Sequence, residues 1–153
     1  YAPWDDRQKS LVTKARFQAD LYRNLAELAE LGAVKSQPVY FVPPFEWHNG
    51  EHTIWAKELG CQLINFTSGS GSHRDFAPEG HKAFVPTEEL IQDVFELEQA
   101  SESGLNGHLL LLHLGSTRQD KVYDKLNELI DGLLTRNYQI VRVDELLSET
   151  GTD

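Results

Sequence analysis

The sequence predicts an α/β fold in which parallel strands alternate with helices, and three features carry that prediction. Apolar residues recur at three- and four-residue steps in several stretches, short β-rich or aliphatic runs of strand length lie between them, and Gly and Pro punctuate the joins. Alternation of this kind implies parallel pairing through right-handed crossovers. Four such strands make either a small open sheet or an arc of a barrel, which typically takes roughly 250 residues to close.

Taken in order, Tyr1 to Trp4 is an aromatic and Pro lead-in, after which Asp5 and Asp6 are placed to cap a long helix. Leu11, Ala15, Leu21, Tyr22, Leu25, Leu28 and Ala29 form its apolar stripe, and Gly32 ends it. Pro38 to Val42 reads as a short strand closed by Pro43 and Pro44, which cannot donate to a ladder. A strand-end loop, Phe45-Glu-Trp-His-Asn-Gly50, precedes a short helix from Glu51 to Leu59 that stops at Gly60. Cys61 to Phe66 is the next strand, and it opens into a long Gly/Ser-rich loop from Thr67 to His81, of a length that is usually functional or mobile.

Pro86-Thr-Glu-Glu starts a helix whose stripe is Leu90, Ile91, Val94, Phe95 and Leu97. A polar turn, Ser101 to Gly107, leads into Gly107-His-Leu-Leu-Leu-Leu-His113, an unbroken aliphatic run that reads as a strand buried on both faces. His113 stands at its exit. Loops rather than packed helices surround strand tips, so ligands and catalytic groups collect there, and an imidazole exchanges a proton near neutral pH. A helix with Val122, Leu126, Leu129, Ile130, Leu133 and Leu134 on one face follows, then a strand from Asn137 to Val143 and a closing helical turn from Asp144.

Composition narrows the function classes. At 153 residues, 40% hydrophobic and 25% charged, the chain is of a size and make-up to form one globular domain. A formal charge of -10 opposes nucleic acid and anionic membrane surfaces as partners. The single cysteine, Cys61, has no thiol partner and reads as a small buried hydrophobe. No apolar run approaches the roughly 18 residues needed to span a bilayer. A chain that starts at Tyr1 and lacks Met reads as a processed or excised piece.

The order of motifs resembles a known family. Val42-Pro-Pro-Phe45, the aliphatic run ending in His113, and the closing Tyr-Gln-Ile-Val-Arg-Val-Asp-Glu-Leu-Leu at 138–147 are similar to the carboxyl-terminal half of a polysaccharide deacetylase domain, the NodB-homology type of carbohydrate esterase family 4. The resemblance covers essentially the whole chain. It implies that residues 1–153 are part of one distorted seven-stranded β/α barrel whose amino-terminal, metal-binding half is absent. It also implies a secreted, metal-dependent hydrolase that removes acetyl groups from N-acetyl sugars or acetylated xylan, in an extracellular or periplasmic location. The divalent metal, usually zinc, would be bound by residues outside this segment.

Residue by residue, the resemblance makes His113 the general acid that protonates the leaving amine or alkoxide. Leu111 and Leu112 would help line the acetyl methyl pocket, and Pro43, Pro44 and Phe45 would wall the sugar groove. Glu46 and Trp47 follow directly, with Trp47 as a sugar-stacking face. Two departures stand out: Val42 replaces an Arg that positions the catalytic Asp, and Cys61 to Ser72 lacks the Asp and Trp of the fourth motif, which tune the His. On this reading the segment alone is inactive, and it is ordered only against the missing half, in the same precursor or in a partner chain.

Other candidates read more plainly. His48 and His52 have a helical metal-site spacing, but Asn49-Gly50 between them argues for a turn. His73, Asp75 and His81 share the long loop and read as solvated, because a mobile loop is a poor preorganised cation site. Ser68 to Ser72 lacks the Lys of a phosphate loop and reads as a flexible lid or linker, and His108 as structural. Two alternatives to the enzyme are a degenerate, non-catalytic carbohydrate-binding module on the same fold and an unrelated small doubly wound binding domain.

Overall fold

A computed structural model describes residues 1–3, 5–6, 8–34 and 38–149. The chain forms two compact units, Tyr1–Asn65 and Phe66–Asp153. It mixes helix with strand, and the strands identified are one parallel pair.

In the first unit, helix α1 (Lys14–Glu30) is capped by Thr13, whose side chain accepts the Arg16 N–H at 3.3 Å. Asp5 and Asp6 are therefore not its cap. Asp6 instead pairs with Lys9 at 3.1 Å and accepts the Gln8 N–H, while the Ser10 hydroxyl bonds the Val12 carbonyl and holds the chain in a turn before the helix. Leu11 thus lies outside the stripe and is exposed, as are Tyr22, Ala15 and Ala29. The stripe that does bury runs from Phe17 to Leu21 and on to the partly buried Leu25, one residue every helical turn. Gly32, with φ of 68°, supplies the left-handed turn just past the helix end.

Strand β1 (Val39–Phe41) pairs in parallel with β2 (Cys61–Leu63), Val39 opposite Cys61 and Phe41 opposite Leu63, and α2 (Gly50–Lys57) makes the crossover. Phe17, Leu21, Ala56 and Cys61 form the core beneath them. The Phe17 ring meets Tyr1 at 4.7 Å, Trp55 at 5.7 Å and Phe41 at 6.2 Å. Burial pushes the Cys61 thiol pKa up, in keeping with its packing role.

His52 is fully buried in this unit, and its surroundings fix its protonation. Its Nδ1 accepts the Asn49 N–H at 3.1 Å, completing a capping box at the start of α2, so Nε2 carries the proton toward Ser10 Oγ at 2.9 Å. Burial first, then the amino terminus and His48, holds its pKa below the usual histidine value. The neutral ring therefore belongs to the folded state, and the unfolded chain binds the extra proton. Stability from this ring is fully present above about pH 6.5, and it is lost as pH falls from there toward the lower folded-state value. Hydrogen exchange of the α1 and α2 amides at pH 7.5 and pH 5 should show faster opening at the acid value, and His52→Gln should flatten the difference.

In the second unit, α3 (Thr87–Ala100) and α4 (Leu126–Thr135) bury Ile91, Val94, Leu129 and Leu133 together with Leu105. Each such side chain contributes roughly 1.5–3 kcal/mol on leaving water. Pro86 caps α3 without a side-chain bond, and the cap comes from elsewhere: Asp120 Oδ2 accepts the Thr87 N–H at 2.7 Å. A short helix, α5 (Val143–Glu149), ends the described chain.

Two expected strands are corrected here, since neither 107–113 nor 137–143 forms a strand ladder among the described residues. Asn137 has φ of 63° in the turn closing α4, and the Tyr138 N–H bonds the Leu133 carbonyl. The Tyr138 hydroxyl then accepts the Leu105 N–H at 2.9 Å and donates to Glu98 at 3.2 Å, tying this stretch to helix and turn rather than to a sheet. Val143 already belongs to α5.

Candidate functional site

The aliphatic run is extended and takes one backbone bond from the preceding loop, the Thr67 N–H to the Leu109 carbonyl at 2.9 Å, but is otherwise held to it by side chains. The N–H groups of Leu109, Leu111 and His113 are accepted by Thr67 Oγ1 at 3.0 Å, Ser72 Oγ at 3.2 Å and Asp75 Oδ2 at 2.6 Å. In an extended chain alternate N–H groups point to one edge, so three oxygen-bearing side chains of the preceding loop stand where a neighbouring strand's carbonyls would be. Ser68 to Ser72 is accordingly no flexible linker: Ser70 and Ser72 are buried and bonded to each other at 3.3 Å. The leucines divide by alternation. Leu110 and Leu112 pack against the Ile91–Leu133 core cluster, leaving Leu111 on the side of His113.

Asp75 is the residue that organises the tip. It is 1% exposed, in a 3₁₀ turn over Ser72–Phe76 entered through Gly71, which has φ of 67° and where a Cβ would lie 2.8 Å from the Arg74 guanidinium. Its Oδ1 meets His113 Nδ1 at 2.6 Å while Oδ2 takes the backbone N–H of the same residue. Both oxygens are thus spent on one histidine. A carboxylate only accepts, so Nδ1 carries the proton and Nε2 is the nitrogen through which this imidazole gains or loses one. The His113 side chain is half-buried, and the Phe76 ring stands edge-on to it at 6.4 Å between centroids.

The solvated-loop expectation fails for Asp75 because the loop is built around the end of the aliphatic run. It holds better for His81, which is exposed and whose Nδ1 accepts the Ala83 N–H. The ring of His73 stacks on Phe66 at 3.9 Å. The Asp and Trp that the resemblance expects are absent from Cys61 to Ser72; Asp75-Phe76, three residues beyond it, is an acid followed by a Phe rather than a Trp.

No protein-family model matches the chain, and no curated protein matches it.

The other predicted site residues lie in the first unit. Pro43 is buried and Pro44 exposed, and Phe45 and Glu46 both have positive φ, 56° and 57°. Two successive non-glycine residues in the left-handed region are a costly conformation, of order 1–3 kcal/mol each, of the kind that clusters at functional sites. Its result is that Phe45 stands 75% exposed with its ring 5.5 Å from that of Trp47. The Glu46 carbonyl accepts from Asn65 Nδ2 at 3.0 Å.

Among the described residues no three His, Cys, Asp or Glu side chains are grouped to hold a metal ion. The divalent metal that the resemblance implies has no donor set among the described residues. His48 and His52 do not converge on a common point for an ion, since His52 serves the α2 cap and His48 Nδ1 lies 3.2 Å from the Glu46 carbonyl. No helix among the described residues is long and apolar enough to cross a membrane.

Proposed function

We propose that this chain is part of a hydrolase that removes acetyl groups from a polysaccharide or oligosaccharide, with His113 as general acid. The observation that carries the reading is the Asp75–His113 pair. A buried carboxylate that holds Nδ1 and the backbone N–H of one histidine presets the ring's tautomer and direction, which proton transfer to a departing amine or alkoxide requires. Asp75 offers the acid whose absence from Cys61 to Ser72 was one of the two departures from the deacetylase pattern, and Phe76 an aromatic that is not the Trp of that pattern; Val42 in place of the Arg remains the other. Leu111 shares the side of His113 and offers an apolar surface to an acetyl methyl. The divalent metal that the resemblance implies, zinc by family habit, would be held outside this segment and would activate the attacking water.

The exposed Phe45 ring beside the half-buried Trp47 favours a second reading, a carbohydrate-binding module without turnover. Adjacent accessible aromatic faces suit sugar rings, and the backbone strain that presents Phe45 would be retained for binding alone. One experiment separates the two. Acetate release from N-acetylated and O-acetylated oligosaccharides is measured with the longest natural polypeptide containing this segment, with and without a chelator. Release abolished by the chelator is expected. Glycan binding with no release, metal being shown present, would move the assignment to the binding module.

A further inference from the structure

We infer that residues 115–120 form a clasp that fixes the His113 imidazole, with Arg118 as its positioning residue. The inference rests on the deacetylase reading for its kinetic part. Arg118 is 1% exposed, a setting in which a charge is rarely found unless paired. Its Nε donates to the Asp120 carbonyl at 2.5 Å, and its Nη2 to the Val85 carbonyl at 2.8 Å and to Asp120 Oδ2 at 3.1 Å, with Thr87 Oγ1 at 3.3 Å. The guanidinium also lies 4.8 Å over the Phe84 ring. Yet its Nη1 is buried with no hydrogen-bond partner among the described residues. A buried charge with an unsatisfied N–H is a poor stabiliser, and an apolar side chain would fill the space at less cost. What it supplies is a fork that locks one loop geometry.

The loop it locks begins two residues after His113. Lys121 Nζ bonds the Ser116 carbonyl, and the Glu79 carboxylate accepts the N–H groups of Gln119 and Asp120 at 2.8–3.1 Å. Segment 75–79 therefore grips segment 113–120 at both ends: Asp75 at the imidazole, Glu79 at the far end. Arg118 ties the middle to the start of α3. Free to shift, the segment after His113 would carry the imidazole away from Asp75, and a displacement of about 1 Å at a reacting group costs about a hundred-fold in rate.

Arg118→Lys keeps the charge and cannot reproduce the fork, and Glu79→Gln alters an exposed residue with little risk to folding. Both are read in the full natural polypeptide by steady-state kinetics and by the downfield proton NMR signal of the His113 Nδ1–H. Arg118→Lys is expected to lower kcat about ten- to a hundred-fold with little change in KM, and to weaken or shift the Nδ1–H signal. Glu79→Gln should move both in the same direction by less. A folded Arg118→Lys protein with kcat and the Nδ1–H signal unchanged would overturn the clasp. If that variant does not fold, unchanged kcat and signal in Glu79→Gln would do so. Absence of acetate release by the unsubstituted protein would remove the deacetylase reading alone, since the Nδ1–H signal tests the clasp without turnover.

Discussion

Acetate release by the polypeptide carrying His113→Ala is expected to fall by about 10²- to 10⁴-fold, the usual contribution of a positioned general acid. Asp75→Asn should cost nearly as much, for a reason visible in the geometry. The carboxylate accepts two N–H groups of His113, one from the ring and one from the backbone. An amide has one acceptor oxygen and one donor nitrogen, so whichever way it turns, one N–H of His113 faces another donor. Either the ring adopts the other tautomer, with its proton on the wrong nitrogen, or the His113 backbone N–H loses its acceptor. Leaving one buried donor unsatisfied also destabilises by about 1–3 kcal/mol. Kinetics and hydrogen exchange at residues 109–113 would check both consequences, and near-normal turnover in Asp75→Asn would remove His113 from the chemistry.

Phe17→Ala should have the largest effect on stability, about 3–5 kcal/mol. The ring is fully buried in the first unit, in edge or stacked contact with Tyr1, Phe41, His52 and Trp55. Truncation leaves a void bounded by rings, which cannot collapse as aliphatic chains can, so the cavity cost adds to the lost transfer energy. Phe17→Leu should recover a good part of the loss. Hydrogen exchange at the amides of α1 and β1 in the full polypeptide measures it, and protection unchanged in Phe17→Ala would mean that this ring does not anchor α1.

Helices with a wide apolar stripe were largely legible from spacing: of the residues periodicity marks, α3 buries Leu90, Ile91 and Val94 and α4 buries Leu129 and Leu133, while Leu134 stays exposed. The β1–α2–β2 crossover was equally plain, because Pro43 and Gly60 bound it in sequence. What misled was local plausibility. Asp5 and Asp6 are good caps, but Thr13 stands nearer the start of the buried stripe. The run 107–113 has the composition of a central strand and lies extended, yet apart from the Thr67 N–H to the Leu109 carbonyl its bonds to the preceding loop come from side chains that no periodicity reports. His113 could be found because an imidazole in an aliphatic run has no packing reason to be there. Asp75 could not, since an Asp among Ser, Gly and His in a loop looks like any solvated acid until the fold buries it. Arg118 was invisible for the same reason.

The pairing of Leu109, Leu111 and His113 with Thr67, Ser72 and Asp75 has a consequence for how sequences of this kind can drift. A backbone ladder is blind to residue identity, so an ordinary strand can slide by two residues and find equivalent partners. Here the three acceptors differ in reach and charge, two hydroxyls and one carboxylate. A slide would offer the imidazole a hydroxyl in place of the carboxylate. The leucines at 109–112 are therefore free to change to other aliphatic residues, while the polar loop before them carries the alignment of the His113 ring.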